Sequence, residues 1–177
     1  MFKNILVATD GSDHADKAVA VAADLATRYD VGLTLLHVLL RRNAESGDLR
    51  GLIDVEKLSE DEREEFERFE TMERATSGAT NPIISVSLPL PAKILAAVGN
   101  AIIDKAEGIA KEHGVTAIDR VVLEGNPANA ILELAKTKNV DLIVLGTRGQ
   151  SDLQGLLVGS VSHKVSHLAE CTCISVR

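Results

Sequence analysis

The chain predicts an α/β fold with a doubly wound, mainly parallel sheet, and three observations carry that expectation. Short apolar runs alternate along it with segments whose apolar residues recur at helical spacing. Strands separated by helices need crossover connections, and right-handed crossovers lay the strands parallel with helices on both faces. The core supply agrees: 45% of the 177 residues are hydrophobic, yet there is no Trp, one Tyr and three Phe, so Val, Ile, Leu and Ala must fill the interior. At this length one domain with a sizeable core is the default.

The elements follow in order. Ile5-Leu-Val-Ala8 is a short apolar strand ending in Thr9-Asp10-Gly11-Ser12, a turn and helix-start cluster. Asp13 to about Tyr29 reads as a helix with Ala15, Ala18, Val19, Ala22 and Ala26 on one face, and Gly32 is expected to supply its stop. Leu33 to Leu40 is the second strand. A helix from near Pro91 buries Ile94, Leu95, Val98, Ile102, Ala106 and Ile109 and stops at Gly114, with Gly99 as a loosening point in its middle. Asp119 to Glu124 is a third strand; Asn126 then caps a helix with Pro127 in its first position, running to about Lys138. Asp141 to Leu145 is the fourth strand, Val158, Val161, Val165 and Leu168 mark the buried face of the last helix, and Cys171 to Val176 closes the sheet. In such sheets ligands sit beyond the carboxyl ends of strands near the switch in strand order, which directs attention to the loops after Ala8 and Leu145.

Residues 41 to 90 break this rhythm. From Glu56 to Arg74 there are nine acidic and four basic residues, so this stretch contributes −5 of the net charge of −7. Ser59 with Glu62 makes a capping box, and Phe66, Phe69 and Met72 recur at threefold spacing on the acidic helix that follows. The reading favoured is a solvated insertion whose Phe residues pack on their own domain, with a protein-partner surface on the 56–74 helix as the alternative. Ser77-Gly-Ala-Thr-Asn-Pro82 reads as a loop.

Charge and composition exclude several function classes. A net charge of −7 argues against a nucleic-acid surface, which needs clustered Lys and Arg to displace counterions. No apolar stretch approaches the roughly 18 to 20 residues of a membrane span, and the start Met1-Phe-Lys-Asn-Ile5 lacks signal-peptide architecture, so a cytoplasmic location is expected. Cys171 and Cys173 would point to the same face of a strand, a poor arrangement for a mutual disulfide.

The chemistry concentrates behind the fourth strand. Gly146-Thr-Arg-Gly149 is followed after nine residues by Gly159-Ser160. Glycines let backbone approach a pyrophosphate without Cβ intrusion, and Ser160 and Ser162 can donate hydroxyl hydrogen bonds at a helix start, where the dipole also favours anions. Glycine clusters also serve turns that bind nothing. His163 and His167, spaced i, i+4, could bridge a metal, but Lys164 stands where a metalloprotease helix carries Glu and no third ligand is evident. His37 reads as a satisfied core or rim residue. There is no G-x-x-x-x-G-K-[ST] loop and no G-x-G-x-x-G after the first strand, which disfavours P-loop NTPases and dinucleotide dehydrogenases.

The spacing Gly146-x2-Gly149-x9-Gly159-Ser160 resembles the ATP-binding signature of the universal stress protein family. Ile5-Leu-Val-Ala-Thr-Asp-Gly-Ser12, Leu36-His37-Val38, Glu124-Gly-Asn-Pro127 and Asp141-Leu-Ile-Val-Leu-Gly146 resemble that family too, while residues 41 to 90 are longer than its usual pattern. The resemblance implies a five-stranded parallel, Rossmann-like sheet of the adenine nucleotide alpha hydrolase type, forming one domain over residues 1–177 with an acidic insertion at about 41–90, and a homodimer joined through the final strand. It implies that Asp10 holds the ribose or adenine side of ATP beside Ala8 and Thr9, and that Val38 lies against the adenine. It further implies that Gly146, Arg148 and Gly149 line the ribose and phosphate path, and that Gly159, Ser160, Val161 and Ser162 grip the phosphates, with Mg or Mn among their oxygens. The closing strand departs from the family pattern: Cys171-Thr-Cys-Ile-Ser-Val176 lacks the usual proline and carries Ser175 in place of an aliphatic residue.

Asp10 could serve as a general base, but the resemblance gives it a binding role, and rapid hydrolysis would need a placed base and charge neutralisation at the γ-phosphate. The leading expectation is therefore an ATP-binding regulatory or stress-response protein with slow or no turnover. The alternatives are a slow ATPase or phosphotransferase using the same pocket, and a nucleotide-independent interaction module built on the Phe66 and Phe69 helix.

Overall fold

The computed structural model describes residues 1–39, 58–77, 91–149 and 159–177, with backbone alone for 73–77. Five parallel strands, β1 (Ile5–Ala8), β2 (Leu33–Leu39), β3 (Ile118–Glu124), β4 (Leu142–Gly146) and β5 (Thr172–Val176), form one sheet in the order β3-β2-β1-β4-β5. The helices are α1 (Asp13–Tyr29), α2 (Glu60–Ser77), α3 (Ala92–Glu112), α4 (Pro127–Thr137) and α5 (Ser160–Leu168). The chain divides into two compact units, one of Met1–Leu40 with Ile102–Arg177 and one of Arg41–Ala101, and α3 runs through the boundary between them.

In the first unit, alternation along the strands builds two cores. Ile5, Val7, Leu33, Leu35, Leu142 and Val144 face one way, onto Ala18, Val19, Ala22 and Ala26 of α1 and Ile103, Ala106 and Ala110 of α3. Leu6, Leu36, Val38, Ile143 and Leu145 face the other way, onto Ala128, Ile131 and Ala135 of α4 and Val165 of α5. Each fully buried Val, Leu or Ile contributes roughly 1.5–3 kcal/mol. The edge strands carry less of this burden, and in β5 Thr172 and Ser175 are exposed, Ser175 with the Ser166 hydroxyl 3.4 Å away. Cys171 and Cys173 are free thiols on the α4–α5 face of the sheet, both pushed above their ordinary pKa, chiefly by burial.

Several local expectations are corrected. α1 is stopped by Asp30, not Gly32: Asp30 adopts the left-handed conformation (φ 56°) and its N–H reaches the carbonyls of Ala26 and Thr27. A short polar side chain tolerates that conformation, so no glycine is needed at the cap. Leu168 is 52% exposed, because the stripe through Val161 and Val165 continues by four residues to Ala169. Val158 lies outside the described residues. In α3, Ile109 is only partly buried, Ile103 and Ala110 fill the core beside Ala106, and the helix passes Gly99 unbroken. Gly114, at φ +87°, follows that helix as expected.

In the second unit Ser59 and Glu62 form the capping box, with Ser59 N–H donating to Glu62 Oε2 at 2.8 Å and Glu62 N–H to Ser59 Oγ at 3.4 Å. Those bonds hold the Glu62 carboxyl below its usual pKa. Phe66 and Phe69 are buried and Met72 is exposed. Ser77 is the last residue of α2, and the rest of the loop expected over 77–82 lies outside the described residues. No helix among the described residues is long and apolar enough to cross a membrane.

Candidate functional site

The strand order reverses direction between β1 and β4, which pair with Ala8 opposite Leu145, so the two loops singled out by the sequence leave the sheet side by side.

The β1 loop is held from both sides. Thr9 N–H donates to the Leu36 carbonyl at 2.9 Å, and the Thr9 hydroxyl accepts from Gly11 N–H at 3.2 Å. Gly11 takes φ +81°, which a residue with a Cβ rarely adopts. Asp10 Oδ1 accepts from both the N–H (3.1 Å) and the hydroxyl (2.6 Å) of Ser12, while Ser12 Oγ caps α1 by accepting from Ala15 N–H at 3.4 Å. One serine thus starts the helix and aims the carboxylate. Lys105 of α3 reaches the same loop, with Nζ 3.4 Å from the Gly11 carbonyl and 2.5 Å from Asp16 Oδ2.

Beneath the loop, the His37 ring Nδ1 lies 2.8 Å from the Thr9 carbonyl oxygen. A carbonyl only accepts, so Nδ1 carries the proton. Burial pushes the imidazole pKa below its ordinary value, outweighing the opposing pull of the Thr9 carbonyl and the Asp10 charge. His37 is the satisfied core residue the sequence suggested.

On the β4 side each signature glycine meets a different neighbour. A Cβ at Gly146 would lie 2.9 Å from the His14 carbonyl carbon and 3.0 Å from Ala15 N, so only glycine lets the first turn of α1 rest on the strand end. A Cβ at Gly149 would collide with Asp10 Oδ2, which makes this glycine the seat of the β1 carboxylate. A Cβ at Gly159 would lie 3.1 Å from the Thr147 carbonyl oxygen, which itself accepts from Gly159 N–H (2.7 Å) and the Ser162 hydroxyl (3.1 Å). Thr147 N–H in turn donates to Val176 at 2.7 Å, tying the loop to β5.

α5 starts differently from its neighbours. Ser12 caps α1, Ser59 caps α2 and Asn126 caps α4 by accepting from Asn129 N–H at 3.2 Å, but Gly159 gives α5 no side-chain cap. The first intrahelical bond runs from His163 N–H to the Gly159 carbonyl, so the N–H groups of Ser160, Val161 and Ser162 lie ahead of the ladder at the positive end of the helix. The Ser162 hydroxyl is turned inward, 3.0 Å from the Gly159 carbonyl as well, so what this serine offers outward is its backbone N–H rather than its side chain.

The structure therefore brings Thr9, Asp10, Gly146, Arg148, Gly149, Gly159 and Ser162 into one connected cluster, with Ser12 Oγ 3.5 Å from the Arg148 carbonyl. Ser160 is exposed and Val161 half-buried at the helix start. Ala8 ends β1, and Val38 is buried in neighbouring β2, on the α4–α5 face. His163 and His167 are exposed and stack with centroids 6.4 Å apart. Among the described residues no three His, Cys, Asp or Glu side chains gather to hold a metal. Sequence reasoning missed Ser12 as the residue that aims Asp10, Thr147 as the residue that anchors α5, and Lys105. The first two lie inside quoted motifs but carry no spacing rule, and Lys105 reaches the loop only through tertiary packing.

The cluster holds three helix-terminal N–H groups and an oriented carboxylate, a set that fits a ligand with an anionic end and a hydrogen-bond-donating end. The match with known proteins is extensive. A model of the universal stress protein family covers residues 1–177. Universal stress protein YxiE of Bacillus subtilis is 35% identical over 178 residues, spanning all of both chains. Two solved structures share the fold: a universal stress protein in complex with cAMP (TM-score 0.63, 24% identity, 99% of this chain and 97% of that one), and the universal stress protein of Archaeoglobus fulgidus in complex with dAMP (TM-score 0.57, 17% identity, 99% and 98%). With the parallel sheet, the cluster at its switch point and a match along its whole length, this chain belongs to the universal stress protein family.

Proposed function

We propose that this protein binds an adenine nucleotide, ATP in the leading reading, and acts as a regulatory or stress-response binding protein with slow or no hydrolysis. The observation that carries the reading is the start of α5, where Gly159 supplies no side-chain cap to the three leading N–H groups, beside a glycine cradle. Complexes of family members with cAMP and dAMP support the adenine class.

In this reading the N–H groups of Ser160, Val161 and Ser162 hold phosphate oxygens, and Gly146, Arg148 and Gly149 line the path to them. Asp10 accepts from the ribose or the adenine beside Ala8, Thr9 and Val38. Mg or Mn, when bound, would take oxygen ligands from the phosphates and offset their charge. Asp10 is aimed by Ser12 and seated on Gly149, an arrangement that suits a hydrogen-bond acceptor for the ligand. The whole chain is read as one domain with an acidic insertion at about 41–90, and the exposed edge of β5 as the homodimer contact.

The test is chromatography of nucleotide released by acid from freshly purified protein, followed by calorimetric titration with ATP and Mg. Retained adenine nucleotide, or saturable one-site binding, supports the reading. A clean preparation that gives no heat with ATP, AMP or cAMP sinks it.

A further inference from the structure

Among the described residues, two buried side-chain polar atoms lack any hydrogen-bond partner, Thr147 Oγ1 and His14 Nδ1. Both flank Gly146: Thr147 follows it, and His14 is the residue that a Cβ at Gly146 would strike. A buried hydroxyl without a partner has lost its bonds to water and gained none, so a fold tolerates one only for a reason. The reason is not backbone geometry, because Thr147 places its N–H on Val176 and its carbonyl under Gly159 N–H and the Ser162 hydroxyl. Valine, the same shape without the hydroxyl, would fill the same space.

Those backbone bonds also fix where the orphan lies. Thr147 is 5% exposed and pinned between β5 and the first turn of α5. Its hydroxyl sits a few covalent bonds from a carbonyl oxygen that is 2.7 Å from Gly159 N. Thr147 therefore lies beside the start of α5, where Gly159 supplies no side-chain cap to the N–H groups of Ser160, Val161 and Ser162. A helix start poor in acceptors and an adjacent hydroxyl without one call for the same missing group, an anionic oxygen.

We propose that Thr147 is a further ligand-binding residue, whose hydroxyl donates a hydrogen bond to a phosphate oxygen held at the first turn of α5. This rests on the nucleotide reading above. Rotation about the Cα–Cβ bond is the only motion asked of Thr147 itself, because its backbone stays fixed. Threonine here exchanges some stability of the unliganded fold for affinity toward phosphate.

Thr147→Val and Thr147→Ser test this through ATP titration and thermal midpoints measured without ligand. The Val variant is expected to bind ATP about tenfold more weakly while melting at or above the wild type, and the Ser variant to keep ATP affinity within about threefold. Equal ATP affinity in wild type and Thr147→Val overturns the inference and leaves the nucleotide reading standing. So does a Val variant that loses affinity together with several degrees of thermal midpoint, which would make the hydroxyl structural. A wild type that binds no adenine nucleotide overturns both.

Discussion

Gly146 and Gly149 lie in one motif yet are glycine for different physical reasons, and substitution separates them. A methyl group at 146 meets the backbone of His14 and Ala15, which cannot step aside without moving α1 off the sheet. Gly146→Ala is therefore expected to cost about 1–3 kcal/mol, read as a drop of several degrees in thermal midpoint. At 149, among the described residues, the methyl meets the side-chain carboxylate of Asp10, which can swing away by giving up its bonds to Ser12. Gly149→Ala should leave the midpoint within about two degrees and weaken ATP binding at least about tenfold; a variant that melts early yet binds normally would refute that assignment. His37 supplies a pH test. Its folded pKa lies below the ordinary 6.5 because burial resists the charge, so from about pH 6.5 downward the unfolded chain takes up a proton that the folded chain refuses. Stability is lost across that window, down to the lowered folded pKa, by up to about 1.4 kcal/mol per pH unit. His37→Asn keeps a donor for the Thr9 carbonyl without a titration, so its denaturant midpoints between pH 7 and 5.5 should fall less than those of the wild type. Parallel losses in the two proteins would remove His37 from the account.

At the scale of elements, the helix starts sort themselves by what occupies the cap. Asn126→Ala removes the acceptor for Asn129 N–H and should cost about 1 kcal/mol of stability while leaving nucleotide affinity unchanged. Gly159→Asp does the reverse: it gives α5 the acceptor it lacks and sets a negative charge where phosphate is proposed to bind. ATP titration should show at least a tenfold loss with a thermal midpoint near that of the wild type, since the new Cβ, at 3.1 Å from the Thr147 carbonyl, needs only a small shift. Unchanged affinity in Gly159→Asp would place the anion elsewhere. Elements of this kind were legible wherever a local rule governs them: the Asn126-Pro127 start, the Ser59–Glu62 box and the alanine face of α1 all appear where the sequence pattern places them. The rules failed where two residues compete for one job. Asp30 took the cap expected of Gly32, because an acidic side chain two residues earlier already satisfies the left-handed turn.

For the whole molecule, the alternation of strands and helices foretold a parallel doubly wound sheet, and the glycine spacing pointed to its switch point. What no spacing rule contains is the pairing across that point. That Asp10 rests on Gly149, that Ser12 approaches Arg148, and that Thr147 ties β5 to α5 are consequences of three-dimensional closure. The cluster at the switch point was legible in the sequence as two neighbouring loops and illegible as a set of contacts.

The pairing of β1 with β4 also governs how the protein comes into being. Ile5 lies against Leu142 and Ala8 against Leu145, so the central seam of the sheet joins segments that are distant in the sequence. β1, α1 and β2 can leave the ribosome and pair early, but half of the central strand's hydrogen-bonding edge waits until β4 has been synthesised. Until then the Asp10 loop has no Gly149 to rest on. A nascent chain interrupted anywhere before β4 thus leaves one edge of β1 unpaired and the Asp10 loop without its Gly149 seat, which makes the emergence of β4, rather than the early pairing of β1 with β2, the step at which this cluster is assembled.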